Sequence, residues 1–229
     1  MSDQFIREIE EDLRRDRLKK LWDRYGMVLI AGAAAIVIGT AGLVFWGNYS
    51  ERRAAEAGDT FIAAIEASRV GDNAEATRLL NNLIESGGGS YRPLARLRSA
   101  ALLAEEGDVA AAVAAFDAFE AESNDPLLSD LARIRAAMLL VDTAPHAEIK
   151  QRIEDLSGAE SAWRHTAREL LGLSAYRTGE YGEARRWFDA VLGDPTAPPN
   201  VRGRADMLLS LIDGEQAGEP AAAGEGNAS

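Results

Sequence analysis

A run of uncharged residues near the N-terminus constrains this chain more than any other feature. From Tyr25 to Ser50 the sequence contains no Asp, Glu, Lys, Arg or His. Its most apolar part, residues 26–47, would form a helix of about 33 Å at roughly 1.5 Å per residue, against a bilayer core of about 30 Å. Aromatic residues typical of the membrane interface flank both ends: Trp22 and Tyr25 before it, and Phe45, Trp46 and Tyr49 after it. We predict a transmembrane helix over residues 25–47.

A cleaved signal peptide or a buried helix fits this run less well. The apolar core of a signal peptide typically has about 7–15 residues and follows a short basic region. Here the leader has 24 residues of mixed charge, and the sequence NYSERRAA after the run offers no convincing cleavage site. A buried helix of a soluble domain is rarely free of charge over such a length. The run is therefore predicted to be a permanent anchor.

The basic residues around the anchor predict its orientation. Six Lys and Arg residues lie within positions 14–24, whereas only Arg52 and Arg53 lie close to the other end. The flank that is richer in basic residues stays in the cytoplasm. We therefore expect a cytoplasmic N-terminus and, in a bacterium, a periplasmic C-terminal part attached to the inner membrane.

Two segments near the membrane each allow two interpretations. The cytoplasmic segment, residues 1–24, has apolar residues at helical spacing between charges, which predicts an amphipathic helix. That helix either lies on the membrane or a partner, or only sets the topology. Within the span, small residues share one helix face: Ala31, Ala35, Gly39 and Gly42. This face either packs against another membrane helix or is ordinary apolar filler.

Composition narrows the possible chemistry of the exported part. The leader carries seven basic and seven acidic residues, so the net charge of −12 belongs to the remainder of the chain. Such a surface would repel phosphate, which argues against a nucleic-acid partner. The chain has no cysteine, and its two histidines, His146 and His165, lack partners at metal-ligand or triad spacing. We predict no catalytic site, cofactor or metal, and place both histidines at the surface or at helix edges.

The rest of the chain is predicted to consist of repeated helical hairpins. Three stretches share a glycine, an alanine five residues later and a large apolar residue nine residues later. They begin at Gly71, Gly107 and Gly179, which are 36 and 72 residues apart. A degenerate copy without the glycine is expected near residue 143. The glycine ends a helix at positive φ, the alanine allows close helix approach, and the large residue fills the gap between hairpins.

The last copy, LLGLSAYRTGEYGEARRWFDAVLGDP, resembles a tetratricopeptide repeat. Residues at the characteristic spacing of that family are Leu171, Gly172, Gly179, Tyr181, Ala184 and Phe188. The resemblance implies an all-α fold: one transmembrane helix followed by a tetratricopeptide-like helical-hairpin solenoid. We expect that domain over residues 48–213, closed by a helix that starts at Pro198, with a disordered tail over residues 214–229.

The charged leader, the single anchor, the degenerate repeats and the closing PPNVRGRADMLLSLI together resemble the YfgM-like family. The resemblance implies an ancillary subunit of the SecYEG translocon that meets exported proteins in the periplasm. It also implies a partnership with a membrane-anchored periplasmic prolyl isomerase chaperone. A different envelope role, in cytochrome maturation or cell-wall assembly, stays open.

The family's binding groove carries over to this chain by the 36-residue register. It lies on the first helix of each hairpin, and the matching positions are Phe61, Ile65, Leu97, Arg133, Glu169, Tyr176 and Arg177. These residues are the expected partner-binding groove.

Overall fold

The structure, a computed structural model, describes residues 2–86 and 89–218, and the secondary structure within these ranges is helical throughout. This confirms the predicted all-α class. The α-helices are α1 Ser2–Arg69, α2 Asn73–Glu85, α3 Tyr91–Glu105, α4 Val109–Glu122, α5 Pro126–Leu140, α6 His146–Ile153, α7 Arg164–Arg177, α8 Tyr181–Leu192 and α9 Pro199–Gly218. A short 3₁₀ helix, Glu154–Ser157, follows α6.

The chain divides into two units after Gly58. All described residues of the first unit belong to α1, which runs without a break through the predicted boundaries at residues 24 and 47. A segment of this helix that starts at Ile30 is long and apolar enough to cross a membrane, judged by length and composition. Large side chains along it, such as Ile36 and Leu43, are exposed. Two members of the predicted packing face, Ala31 and Gly39, are exposed. The burial of the other two, Ala35 and Gly42, is not among the features that the structure describes.

In the second unit, glycines with positive φ end the first helix of three hairpins. They are Gly71 at φ 84°, Gly107 at 90° and Gly179 at 80°. In each turn the residue after the glycine donates its N–H to a carbonyl five residues back, as Asp72 does to Ala67 at 2.8 Å. Such a bond satisfies a carbonyl that the helix end leaves free. The glycine role expected from the sequence is therefore confirmed.

A small residue stands at the same place in the first helix of all four hairpins. These residues are Ala64, Ala100, Ala136 and Gly172, spaced 36 apart, and all are buried. The second helices of three hairpins bury the expected pairs of small and large residues: Ala76 with Leu80, Ala112 with Phe116, and Ala184 with Phe188. A Cβ atom on Gly172 would lie 2.5 Å from the Phe188 ring. The two helices of the last hairpin are therefore as close as their side chains allow.

The third hairpin keeps this register in its first helix and loses it in its second. Its turn, residues 141–145, has five residues where the other hairpins have three, and it contains no residue of positive φ. Besides His146, the buried residues of its second helix are Ile149 and Ile153, which lie 37 residues after Ala112 and Phe116. The buried positions of α6 are thus shifted by one residue relative to the 36-residue register, which the sequence pattern did not reveal.

Helix α9 closes the last hairpin, as predicted. Its buried face comprises Val201, Ala205, Leu208, Leu209 and Ile212, which pack in the same cluster as Phe188. The helix continues to Gly218, so residues 214–218 are helical where a disordered tail was expected. Arg185 of α8 contacts both Asp213 and Gln216, which supports this additional turn. The rest of the predicted tail lies outside the described residues.

Replacing Gly172 by alanine should lower the stability of the repeat unit. Overpacking a filled contact costs about 1–3 kcal/mol, of which better helix propensity recovers at most about 1 kcal/mol. Thermal unfolding of the full chain in detergent, followed by circular dichroism, measures the change. The matched control is Gly182→Ala in α8, where a Cβ atom meets nothing within 4 Å; an equal loss in both variants would contradict the close helix contact.

Candidate interaction surface

Exposed large apolar side chains in the described part of the second unit lie mostly on the first helices of the hairpins. The first helices carry Ile62, Ile65, Leu94, Leu127 and Met138, and the closing helix α9 carries Met207 and Leu211. The remaining two are Val70 in a turn and Val109 at the start of α4. An apolar side chain that remains in water is unremarkable singly, but a group on corresponding helices marks an interaction surface.

The exposed apolar side chains of the first helices fall on one helix face once the repeat period is removed. Leu94 lies one 36-residue period after position 58, and Met138 lies two periods after position 66. Positions 58 and 66 are each one helical turn from Ile62, so the three residues share a helix face. Ile62 is 67% exposed and Met138 is 46% exposed. We call the apolar residues of the first helices, namely Ile62, Ile65, Leu94, Leu127 and Met138, the apolar stripe.

Contacts join neighbouring first helices across the hairpins. The Phe61 and Tyr91 rings lie 5.7 Å apart, which links the end of α1 to α3. Ala100 and Ala136 share a hydrophobic cluster, which links α3 to α5. Helix α5 contacts α7, and α7 contacts α9. The first helices therefore form one layer, and the apolar stripe lies on it.

The apolar and aromatic residues predicted for the groove occupy different environments. Ile65 is exposed and belongs to the apolar stripe, and Phe61 is partly buried against Tyr91. Leu97 is only 8% exposed and packs with Phe116 and Phe119, so its side chain is part of the core. Tyr176 is partly buried against Tyr181. The 36-residue register identifies the first helices, but of these four residues only Ile65 is exposed to solvent.

The charged residues predicted for the groove are engaged in contacts between helices. Arg133 donates to Asp155 and to the backbone carbonyl of Arg152, each at 2.9 Å, and Asp155 raises the pKa of this guanidinium. Glu169 accepts from Arg204 of α9 at 2.8 Å. Arg177 donates to the carbonyls of Val141 and Ala144 in the turn of the third hairpin. These three predicted residues therefore take part in separate contacts between different elements.

Asp194, which the sequence pattern did not single out, is bound by Thr196, Arg164 and Arg168. The Thr196 hydroxyl donates to it at 2.6 Å and the Thr196 backbone N–H at 3.0 Å, and these bonds hold the pKa of Asp194 well below its usual range. Arg164 and Arg168 pair with it at 3.0 and 3.2 Å. This cluster links α7 to the loop before α9.

His146 is the first residue of α6, but its side chain is in the core and not at the surface. It is 4% exposed, and its Nδ1 lies 2.7 Å from the Ser174 hydroxyl. Because that hydroxyl donates to the carbonyl of Leu171, it accepts from His146. A partner 28 residues away explains why the sequence did not reveal this burial. His165 is partly buried, and the described residues contain no group of three or more His, Asp or Glu that could hold a metal.

The tetratricopeptide repeat-like domain family matches residues 19–201 of the chain. The chain belongs to this family, whose members typically act as non-catalytic scaffolds for protein interactions. A search of curated proteins and a search of solved structures gave no significant match. The narrower resemblance to the YfgM-like family stays a prediction.

Replacing Arg177 by alanine tests whether this residue is structural. Its two bonds to the turn of the third hairpin predict a loss of about 1–2 kcal/mol in unfolding free energy, since hydrogen bonds from charged groups are stronger than neutral ones. Chemical denaturation of the full chain in detergent measures the loss. Arg78→Ala is the control, because among the described residues Arg78 forms only an exposed pair with Glu75, worth under about 1 kcal/mol. Equal stability of both variants would contradict the structural role.

Proposed function

We propose that the protein is a membrane-anchored periplasmic scaffold that serves the Sec translocon and binds newly exported proteins or their chaperones. The observation that carries this proposal is the apolar stripe. A scaffold that binds unfolded chains needs apolar side chains that are exposed to solvent. A layer of repeated helices presents such side chains over an extended surface. The alternative is a scaffold for another envelope complex, which would use the same surface.

The anchor and the charge of the chain support the location. Helix α1 carries one segment able to cross a membrane, and the cluster of basic residues that precedes it favours a cytoplasmic N-terminus. The repeat unit is then periplasmic and close to the point where exported chains emerge. Its acidic composition keeps the domain soluble despite the exposed apolar residues.

We infer the partners from the resemblance to the YfgM-like family and from the apolar stripe. The SecYEG translocon and a membrane-anchored periplasmic prolyl isomerase are the expected neighbours, and exported proteins are the expected ligands. The small-residue face of Ala31, Ala35, Gly39 and Gly42 is the proposed contact with another membrane helix. The function proposed for the chain is binding rather than catalysis.

Affinity capture from native membranes in a mild detergent tests this function. The full chain should recover SecYEG, the isomerase and exported proteins together. The double variant Leu94→Glu, Met138→Glu should recover about tenfold less exported protein, since it places charge in an apolar contact. Val109→Glu is the control, because Val109 is exposed to a similar extent on a second helix.

Two results would contradict the proposal. Consistent absence of SecYEG and the isomerase, with another envelope complex recovered instead, would favour the alternative scaffold. Equal recovery of exported protein by the stripe variant and by the Val109 variant would exclude the apolar stripe as the binding surface.

A further inference from the structure

The first helices that follow α1 are rich in arginine, although the protein is acidic. Helices α3, α5 and α7 contain eight Arg and three Asp or Glu, whereas the whole chain has 25 Lys or Arg and 37 Asp or Glu. Five of these arginines pair with carboxylates: Arg96, Arg98, Arg133, Arg164 and Arg168. Arg177 donates to backbone carbonyls. The remaining two, Arg92 and Arg135, are exposed and have no ion-pair partner in the described part of the chain.

Arg135 lies between two members of the apolar stripe on α5. Leu131 precedes it by four residues and Met138 follows it by three, so the three side chains share one face of the helix. Leu127, one turn before Leu131, extends the same face. Leu127 is 55% exposed and Met138 is 46% exposed. The exposed face of α5 is therefore apolar, with the cation of Arg135 within it.

This arrangement restricts what can cover the stripe on α5. A segment that covers Leu127 and Met138 also takes Arg135 out of water. A guanidinium group that loses its water without gaining a partner is strongly unfavourable. A carboxylate in the segment removes this cost, because Arg presents parallel N–H donors that match both carboxylate oxygens. Among apolar segments, those with an acidic residue at this place are therefore favoured.

We propose that the segments bound along the apolar stripe carry an acidic residue beside their apolar residues, and that Arg135 pairs with it. This rests on the proposed function, because it specifies the ligand of the same stripe. The net charge of −12 repels acidic segments at long range. A preference for them therefore requires a local cation, and Arg135 supplies it.

Fluorescence anisotropy with the full chain in a zwitterionic detergent tests this preference. The probes are three fluorescein-labelled peptides, Ser-Leu-Val-X-Leu-Val-Ser, in which X is glutamate, glutamine or lysine. The unmodified chain should bind the glutamate peptide about two- to fivefold more tightly than the glutamine peptide, the range of exposed ion pairs. It should bind the lysine peptide most weakly, because two cations then meet.

Two variants assign the preference to one residue. Arg135→Gln should bind the glutamate and glutamine peptides equally, and its unchanged affinity for the glutamine peptide shows that it is folded. Arg92→Gln is the matched control, because Arg92 also lacks an ion-pair partner among the described residues. It lies two residues from Leu94 and so points to another side of α3. This control should keep the preference for the glutamate peptide.

The outcomes separate this proposal from the proposed function. Equal binding of the three peptides, with weaker binding of all three by the variant Leu94→Glu, Met138→Glu, would overturn the acidic preference and leave the apolar stripe as the binding surface. Loss of the preference in the Arg92 variant to the same extent as in the Arg135 variant would overturn the role of Arg135. Absence of binding by all three peptides would overturn both proposals.

Discussion

Close approach between the two helices of a hairpin is the constraint on which the rest of the repeat unit depends. At Gly172 the Phe188 ring fills the space that a Cβ atom would need. The same place in the other first helices holds Ala64, Ala100 and Ala136. A larger residue there would separate the helices and expose the apolar residues between them. The 36-residue spacing of the small residues therefore sets the period of the whole stack.

In the third hairpin the 36-residue period holds for the first helix but not for the second. Its first helix keeps the period, because α5 contacts α4, α6 and α7. Its second helix moves by one residue and still buries Ile149 and Ile153. The shift leaves polar residues at the hairpin edge, where they line a cavity between α4 and α6. A local change in one turn thus alters the surface without altering the layer of first helices.

Local patterns predicted most of the fold from the sequence. The candidate membrane span, the glycine turns, the small and large pairs and the closing helix depend on residues close together in the chain. The shift of α6 was missed, because the third hairpin lacks the glycine that marks the register elsewhere. Helix propagation to Gly218 depends on contacts from Arg185, which lies in another helix.

The candidate surface was predicted less well, for a physical reason. A 36-residue period identifies corresponding positions, but it does not decide whether a position faces the core, a neighbouring helix or water. Leu97 packs in the core, and Arg133 and Arg177 are held by acceptors 22 and 36 residues away. Only Ile65 of the predicted groove belongs to the apolar stripe. The stripe is defined by the side chains that packing leaves exposed on the first helices.

Photocrosslinking in living cells tests the central claim, that the first-helix layer meets exported chains. A photoreactive amino acid is placed at Ile62, which is 67% exposed on a first helix, and at Val109, which is 39% exposed on a second helix. Both proteins are expressed with a secreted protein arrested in the translocon. We expect crosslinks to the arrested chain from position 62 and few from position 109. Equal crosslinking from both positions, or none from position 62, would contradict the claim.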